Sequence, residues 1–337
     1  MTTLKDVAEK AGVSSAAASR ILNNDTSLSV PPETRQKVLD AARALNYRKK
    51  QKASAKSAYT MGILQWFSSL QELEDSYYLS IRQGIEDFCL ANCLNVIRTF
   101  KSDLNCMESL SQTDGLICIG KFTSEEVAQF KKISDSLLLI DMASPDPETS
   151  SITLDFEQAV SEALDHLYRL GHRDIAYLGG LEYLADGSLF PDSRRTTFTA
   201  YCESHGITYL PYMKEDKFSS ESGYRMMTEL IESGNLPSAV FAASDPIALG
   251  ALNAAKEQGF LVPGDISFIG FDDISLCRMA SPPLTTVHAP AYEMGRCGAG
   301  IVYHLLKAPS EAGLQIKMPC RLTLRDSCRE KKSSSKA

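Results

Sequence analysis

The sequence predicts a small all-α headpiece of the helix-turn-helix type, joined to an α/β core of two doubly wound parallel-sheet subdomains, and three observations carry that expectation. Residues 3–23 show helical apolar spacing broken once, at Gly12. From Met61 onward, short apolar runs alternate with helical stretches, and the alternation occurs twice over. Such alternation folds as parallel sheet with helices on both faces. Charge is divided too: residues 1–58 hold eleven Lys and Arg against five Asp and Glu, net +6, which leaves −13 on the rest of a chain totalling −7. A basic head on an acidic body meets polyanions through the head alone.

The headpiece can be argued residue by residue. Thr3 with Asp6 three positions on is a capping-box-like start, and Leu4, Val7, Ala8 and Ala11 fall on one helical stripe. Gly12 supplies the left-handed conformation that ends this helix, Val13 plugs the corner, and Ser14 caps a second helix. In that helix Ala18, Ile21 and Leu22 face inward, leaving Ser15, Ala16, Ser19, Arg20 and Asn23 outward. A small, polar outer face tipped with arginine suits the DNA major groove, because bulk would block approach to base edges. The plainer reading is a helical hairpin that packs on something else. Context favours DNA. A third helix is announced by Val30-Pro-Pro-Glu33, with Val38, Leu39, Ala42 and Leu45 at helical spacing, and it ends at Asn46-Tyr47 before the basic run 48–52 and Lys56.

Composition bounds the rest. A chain of 337 residues holds two or three domains, and 44% hydrophobic with 23% charged residues is ordinary for soluble globular protein. Nine cysteines without a C-x-x-C pair or clustered histidines suggest neither a disulfide framework nor a zinc site, but reduced thiols in a cytoplasmic protein. No apolar run approaches a membrane span, so no membrane partner is expected.

In the core, the runs 61–67, 94–100, 115–120, 137–140 and 152–154 read as strands, with helices near 76–92, 123–133 and 157–170. The pattern resumes with strands at 174–179, 239–243 and 266–271 and helices near 194–205, 221–233 and 245–258. A further helix, 291–307, and a last strand pair around Ile316–Leu324 cross back between the units. Ligands of such sheets sit at the carboxyl ends of the strands, in the cleft between units.

The segments Leu4-Lys-Asp-Val-Ala8, Ala11-Gly-Val-Ser14, Ser19-Arg-Ile-Leu-Asn23, Glu33-Thr-Arg-Gln-Lys-Val38 and Leu45-Asn-Tyr47 resemble the headpiece of the lactose-repressor (LacI/GalR) family of bacterial transcription regulators. The strings 170–180, 237–245, 262–273 and 282–287 resemble that family's core, which is related to periplasmic sugar-binding proteins. Within the family, residues 72–86 and 218–224 look closest to the branch that represses an evolved β-galactosidase operon. The resemblance implies a headpiece over 1–47, a hinge over 48–59, and an effector and dimerisation core over 60–328. Within that core the first subdomain covers about 60–158, the second about 159–285, and crossovers return in 286–328. Residues 329–337 are expected as a disordered tail.

An enzyme is not expected. Asp245, Asp272 and Asp273 stand at strand ends, and paired carboxylates do acid/base work. Yet phosphate loop, G-x-G-x-x-G, G-x-S-x-G and metal spacing are all missing, and the five histidines are scattered. A sugar needs bidentate charged groups for its hydroxyls and an aromatic face for its ring. The candidates are Tyr77, Tyr78, Asp141, Arg194, Phe218, Phe241, Ser244 and Asp272. Tyr78 and Phe241 suit the core equally well, and Asp245 suits a helix cap better than a ligand. The resemblance matches Arg194 and Asp272 to the family's regular effector contacts and puts Ser244 where relatives often have asparagine. No cofactor or metal is expected.

For DNA the candidates are Thr3, Leu4, Ser14, Ser15, Ala16, Ser19, Arg20, Asn23, Thr34, Ala53 and Lys56. Lys56 stands where many relatives carry a hinge leucine that wedges into the minor groove, and a lysine enters the groove as a cation but cannot wedge. The family's leucine-heptad tetramerisation tail is missing, so a homodimer is expected. The expected function is a repressor of a galactoside operon that binds double-stranded operator DNA and is released by a sugar inducer. The alternatives are a corepressor-dependent regulator and a cytoplasmic sugar sensor acting through a protein partner.

Overall fold

The structure, a computed structural model, describes residues 3–22, 30–45, 47, 59–68, 71–72, 75–310 and 312–331. The chain divides into two compact units, Met1–Lys56 and Ser57–Ala337.

The first unit holds α1 (Leu4–Ala11), α2 (Ser15–Leu22) and α3 (Pro32–Ala44). The Thr3 hydroxyl accepts from the Asp6 N–H at 3.3 Å, and the Asp6 carboxylate accepts from the Thr3 N–H at 2.7 Å, so both start-of-helix donors are satisfied. Gly12 closes α1 at φ 67°, and the Val13 N–H returns to the Ala8 carbonyl at 3.0 Å. Ser14 Oγ accepts from the Ala17 N–H at 3.1 Å and starts α2. Val7, Ala8, Ala18, Ile21, Val38 and Ala41 form one buried cluster. Leu39, expected inward, does not join it. Val38, Ala41, Ala42 and Leu45 make an i, i+3, i+4, i+7 stripe, and Leu39 lies about 100° round the helix from Val38.

The second unit contains two six-stranded sheets. The first holds β1 (Thr60–Gln65), β2 (Asn95–Phe100), β3 (Gly115–Ile119), β4 (Leu137–Ile140), β5 (Ser150–Leu154) and β11 (Gln315–Met318), in the order β11-β5-β4-β3-β1-β2, all parallel. The second holds β6 (Ile175–Gly180), β7 (Met213–Asp216), β8 (Ala239–Ala242), β9 (Ser267–Asp272), β10 (Thr285–His288) and β12 (Arg321–Thr323), in the order β12-β10-β9-β8-β6-β7. Here β12 alone runs antiparallel, against β10. The pair expected around 316–324 is therefore divided, one strand to each sheet. The chain crosses between sheets after β5, between β10 and β11, and between β11 and β12. Strands β7 and β10 were not expected, because Met-Lys-Glu-Asp and Thr-Thr-Val-His lack an apolar run.

Helices α4 (Tyr77–Ala91), α5 (Cys106–Leu110), α6 (Ser124–Lys131) and α11 (Ala291–Lys307) flank the first sheet, and α7 (Phe156–Arg169), α8 (Ser193–His205), α9 (Ser220–Glu232) and α10 (Asp245–Glu257) the second. α4 and α11 touch backbone to backbone: a Cβ on Gly84 would stand 2.0 Å from the Tyr292 carbonyl oxygen, so no side chain fits there. Residues 329–331, expected as loose tail, are tied down instead. The Arg329 N–H donates to Ser267 Oγ at 3.2 Å, the Lys331 N–H to the Leu170 carbonyl at 2.8 Å, and Lys331 Nζ pairs with Asp174 at 2.9 Å. The stretches 48–58 and 332–337 lie outside the described residues, as do the expected contacts Asn23, Ala53 and Lys56.

Candidate functional site

The carboxyl ends of both sheets converge on one cleft. Its innermost chamber, about 30 Å³, is lined by Asp75, Tyr77, Tyr78, Asp141, Arg194, Phe218, Ser244 and Asp272, with Phe67, Leu154, Phe156 and Glu182. Seven of the eight residues expected from sequence are thus brought together. Phe241 is the exception. It is fully buried on the far side of β8, stacked with Tyr177 and Phe198 at centroid distances of 6.3 and 6.1 Å, because strand alternation turns it away from the cleft.

On the wall built by the first sheet, Asp141 follows β4 at φ 73°, a conformation Asp tolerates better than most residues. Its carboxylate accepts from Tyr78 Oη at 2.8 Å, Tyr77 Oη at 3.2 Å and Lys121 Nζ at 2.5 Å. Burial first, and then the Asp141 charge, holds both phenols well above their ordinary range, so they remain donors. Asp75 accepts from the Tyr77 N–H at 3.0 Å, and burial raises its carboxyl.

On the other wall Asp192 caps α8 and holds Arg194 in a fork, with Nε at 2.9 and 3.1 Å from its two oxygens. Arg194 Nη1 donates to the Ala243 carbonyl at 2.7 Å, and the guanidinium lies 4.9 Å from the Phe218 ring and 5.2 Å from Phe156. Burial works against this charge more than any other single cause, but Asp192, with Tyr177 and Glu182, outweighs it and the guanidinium stays protonated. Ser244 Oγ accepts from the Ile247 N–H at 3.5 Å and caps α10. That was the role expected of Asp245. Asp245 instead accepts from Thr286 Oγ1 at 2.5 Å and the Ile274 N–H at 2.9 Å, beside a Gly270 whose Cβ would lie 2.2 Å from it.

Asp272 ends β9 at φ 115°, a strained angle for a residue with a Cβ. Among the described residues none donates a hydrogen bond to its side chain. Burial, and then the charges of Asp75, Asp245 and Asp141, hold its carboxyl well above the ordinary range, with Arg194 pulling the other way. Four carboxylates around one guanidinium make the chamber unfavourable for an anion and suited to a neutral polyhydroxyl ligand.

Asp75, Lys121, Phe156 and Glu182 were not singled out from sequence. Lys121 and Glu182 each stand two residues past a strand end, as does Phe156, so counting on from every strand would have found three of the four. Among the described residues no His, Cys, Asp and Glu cluster is placed to hold a metal, and no helix is long and apolar enough to cross a membrane.

In the headpiece, Ser15, Ala16 and Arg20 are exposed on one face of α2, with Ser19 half-buried beside them. Thr3 and Ser14 spend their hydroxyls on capping. Leu4 packs on the cluster, and Thr34 lies half-buried in the first turn of α3.

Comparison with known proteins bears on both units. Residues 3–50 match the family described as bacterial regulatory proteins, lacI family, and residues 164–328 match the periplasmic binding protein-like domain. The transcriptional regulator GalR of Streptococcus thermophilus is 36% identical over 97% of this chain and 99% of its own length. The transcriptional repressor MelR of Bacillus subtilis (strain 168) is 37% identical over 97% and 98%. Among solved structures, the lac repressor dimer bound to operator and an anti-inducer superposes with a TM-score of 0.69 at 26% identity, covering 97% of this chain and 99% of that one. These relatives are named as regulators and repressors, not enzymes. The chain belongs to the lacI family of bacterial regulatory proteins.

Proposed function

We propose that this regulator is a homodimeric repressor that grips operator DNA through the exposed face of α2 and lets go when a neutral sugar, a galactoside, occupies the cleft. The observation that carries the reading is Asp272: a half-buried carboxylate with no side-chain donor among the described residues, facing a chamber that also holds Arg194 and the Phe156 and Phe218 rings. Paired hydroxyls on a sugar ring supply the donors it lacks. Relatives support the rest. The lac repressor was solved on its operator, and another structural neighbour, CelR, with cellobiose. The galactoside assignment rests on residues 72–86 and 218–224, which resemble a branch that represses galactoside use.

Release works by population shift. The sugar must bind the non-DNA arrangement better than the DNA-bound one, since equal affinity for both moves nothing. Fluorescence anisotropy of labelled operator, titrated with galactosides, glucosides, purines and sugar phosphates, tests the reading. Galactosides are expected to release DNA. Tightening by a purine or a sugar phosphate, with no galactoside response, would establish the corepressor alternative. The same assay run against salt should give a steep log–log slope, because lysines and arginines of the basic head displace counterions from phosphates.

A further inference from the structure

The loop between β6 and α8 is a hairpin that leaves the second sheet and reaches the first. Tyr183 and Leu189 bridge antiparallel, the Leu184 N–H donates to the Ser188 carbonyl at 2.8 Å, and the Phe190 N–H donates to the Glu182 carbonyl at 2.8 Å. Its returning strand is seated across the cleft. Phe190 packs on the first-sheet cluster that contains Phe122, Phe130 and Met142, and Lys121 Nζ lies 5.0 Å from its ring. The outgoing strand, paired to it, brings Glu182 to the cleft and leaves Tyr183 55% exposed beside it.

Glu182 stands where three spaces meet: the inner chamber of about 30 Å³, a side chamber of about 430 Å³, and an outer groove of about 910 Å³. A buried water needs roughly 10–15 Å³ measured this way, so the inner chamber takes the edge of a ligand rather than its bulk. The outer groove is walled by Trp66, Phe67, Tyr183 and Phe218, and Phe218 also lines the inner chamber. Aromatic faces next to a carboxylate are the surfaces a sugar ring uses, the rings meeting its apolar face and the carboxylate its hydroxyl pairs.

We infer that the effector is a neutral oligosaccharide of at least two hexose rings, whose second ring lies in the outer groove and is read by Glu182 and Tyr183 of the 182–190 hairpin. The inference rests on the sugar reading of the inner chamber. One ring end is held by Asp272 and Arg194. The next ring passes Glu182, donates its hydroxyls to the carboxylate, and lies along Tyr183 and Trp66. Chain length is thereby measured by the hairpin, and ring identity by the inner chamber.

Titration calorimetry on the full chain, with galactose, melibiose, β-1,4-galactobiose and the corresponding trisaccharide, tests this. A disaccharide should bind about tenfold or more tightly than galactose, and Tyr183→Ala and Glu182→Gln should each cut the disaccharide affinity and bring that ratio close to one. Tyr183 is exposed at a hairpin end, so a thermal melt matching the parent certifies that the variant is folded. Galactose binding as tightly as the disaccharides, or a ratio untouched by both substitutions, would overturn the inference while leaving the inner site intact. Heat from none of the four sugars would overturn the galactoside reading of the inner chamber, and this inference with it.

Discussion

On the wall supplied by the first sheet, Asp141 is saturated: two tyrosine hydroxyls and a lysine ammonium donate to it, all three buried. On the wall supplied by the second, Asp272 has no side-chain donor among the described residues and sits at φ 115°. Both are aspartates just at or past the end of a parallel strand and both face one chamber, Asp141 buried and Asp272 half-buried. The difference is who supplies the partner. Asp141 obtains its hydrogen bonds from the fold, so its net contribution is to hold Tyr77, Tyr78 and Lys121 in register. Under the proposed function Asp272 obtains them from a ligand, which assigns its contribution to recognition. Two carboxylates with the same sequence signature therefore divide into a brace and a reader.

The largest effect that tests this division is on stability. Asp141→Ala removes the partner of a buried lysine and of two phenols, and breaking such a pair costs about 3–5 kcal/mol. Urea unfolding should show a loss of that size in the second unit. A loss under about 1 kcal/mol would mean that Lys121 and the tyrosines find other partners, and that Asp141 is not the brace.

A second, pH-dependent effect belongs to the reader's wall. Burial pushes the Asp245 carboxyl up to about 7, against hydrogen bonds from Thr286, Cys277 and Ile274 that favour its charged form. A carboxyl raised in the folded state binds its proton more tightly there than in the unfolded chain. Its stabilising contribution is therefore complete below the unfolded carboxylate value, about 3.9, and lost as pH rises through about 7. The raised carboxyl of Asp272 adds in the same direction. Melting temperature should climb as pH falls from 8 towards 5.5, and Asp245→Asn should flatten that climb. A melting temperature that falls over this interval in the parent protein would refute the assignment.

The smallest effect is the most telling for the comparison. Asp272→Asn removes a raised carboxyl with no side-chain donor to lose among the described residues, so stability should stay within about 0.5 kcal/mol of the parent or rise. A large loss would show that Asp272 is as much a brace as Asp141.

How much of this was legible in the sequence depended on how local the cause was. Thr3, Asp6, Gly12 and Ser14 act within one turn of themselves, so the headpiece could be read directly, with Leu39 misplaced by a single position on its stripe. Strand ends were legible as well, which is why Asp141 and Asp272 were picked out, while Arg194 was picked out at the start of a helix. What escaped was decided across the fold. Nothing near Lys121 announces that its ammonium will meet Asp141 twenty residues later, and nothing near Glu182 announces a hairpin that spans the cleft. Phe241 looked like a ligand platform because it is an aromatic near a strand end; only the register of β8 shows it facing Tyr177 and Phe198. Ser244 and Asp245 exchanged roles because either type caps a helix, and the choice was made by Thr286, forty-one residues away.

The central claim is that Asp272 couples ligand to DNA release without being needed for DNA binding itself. It is tested most directly by operator anisotropy on parent and Asp272→Ala proteins across a galactoside titration. The variant should bind operator with parental affinity while its releasing sugar concentration rises about ten- to a hundredfold, the cost of roughly 1.5–3 kcal/mol for a charged hydrogen bond. A variant that releases operator at the parental sugar concentration, or one that no longer binds operator although folded, would contradict the account.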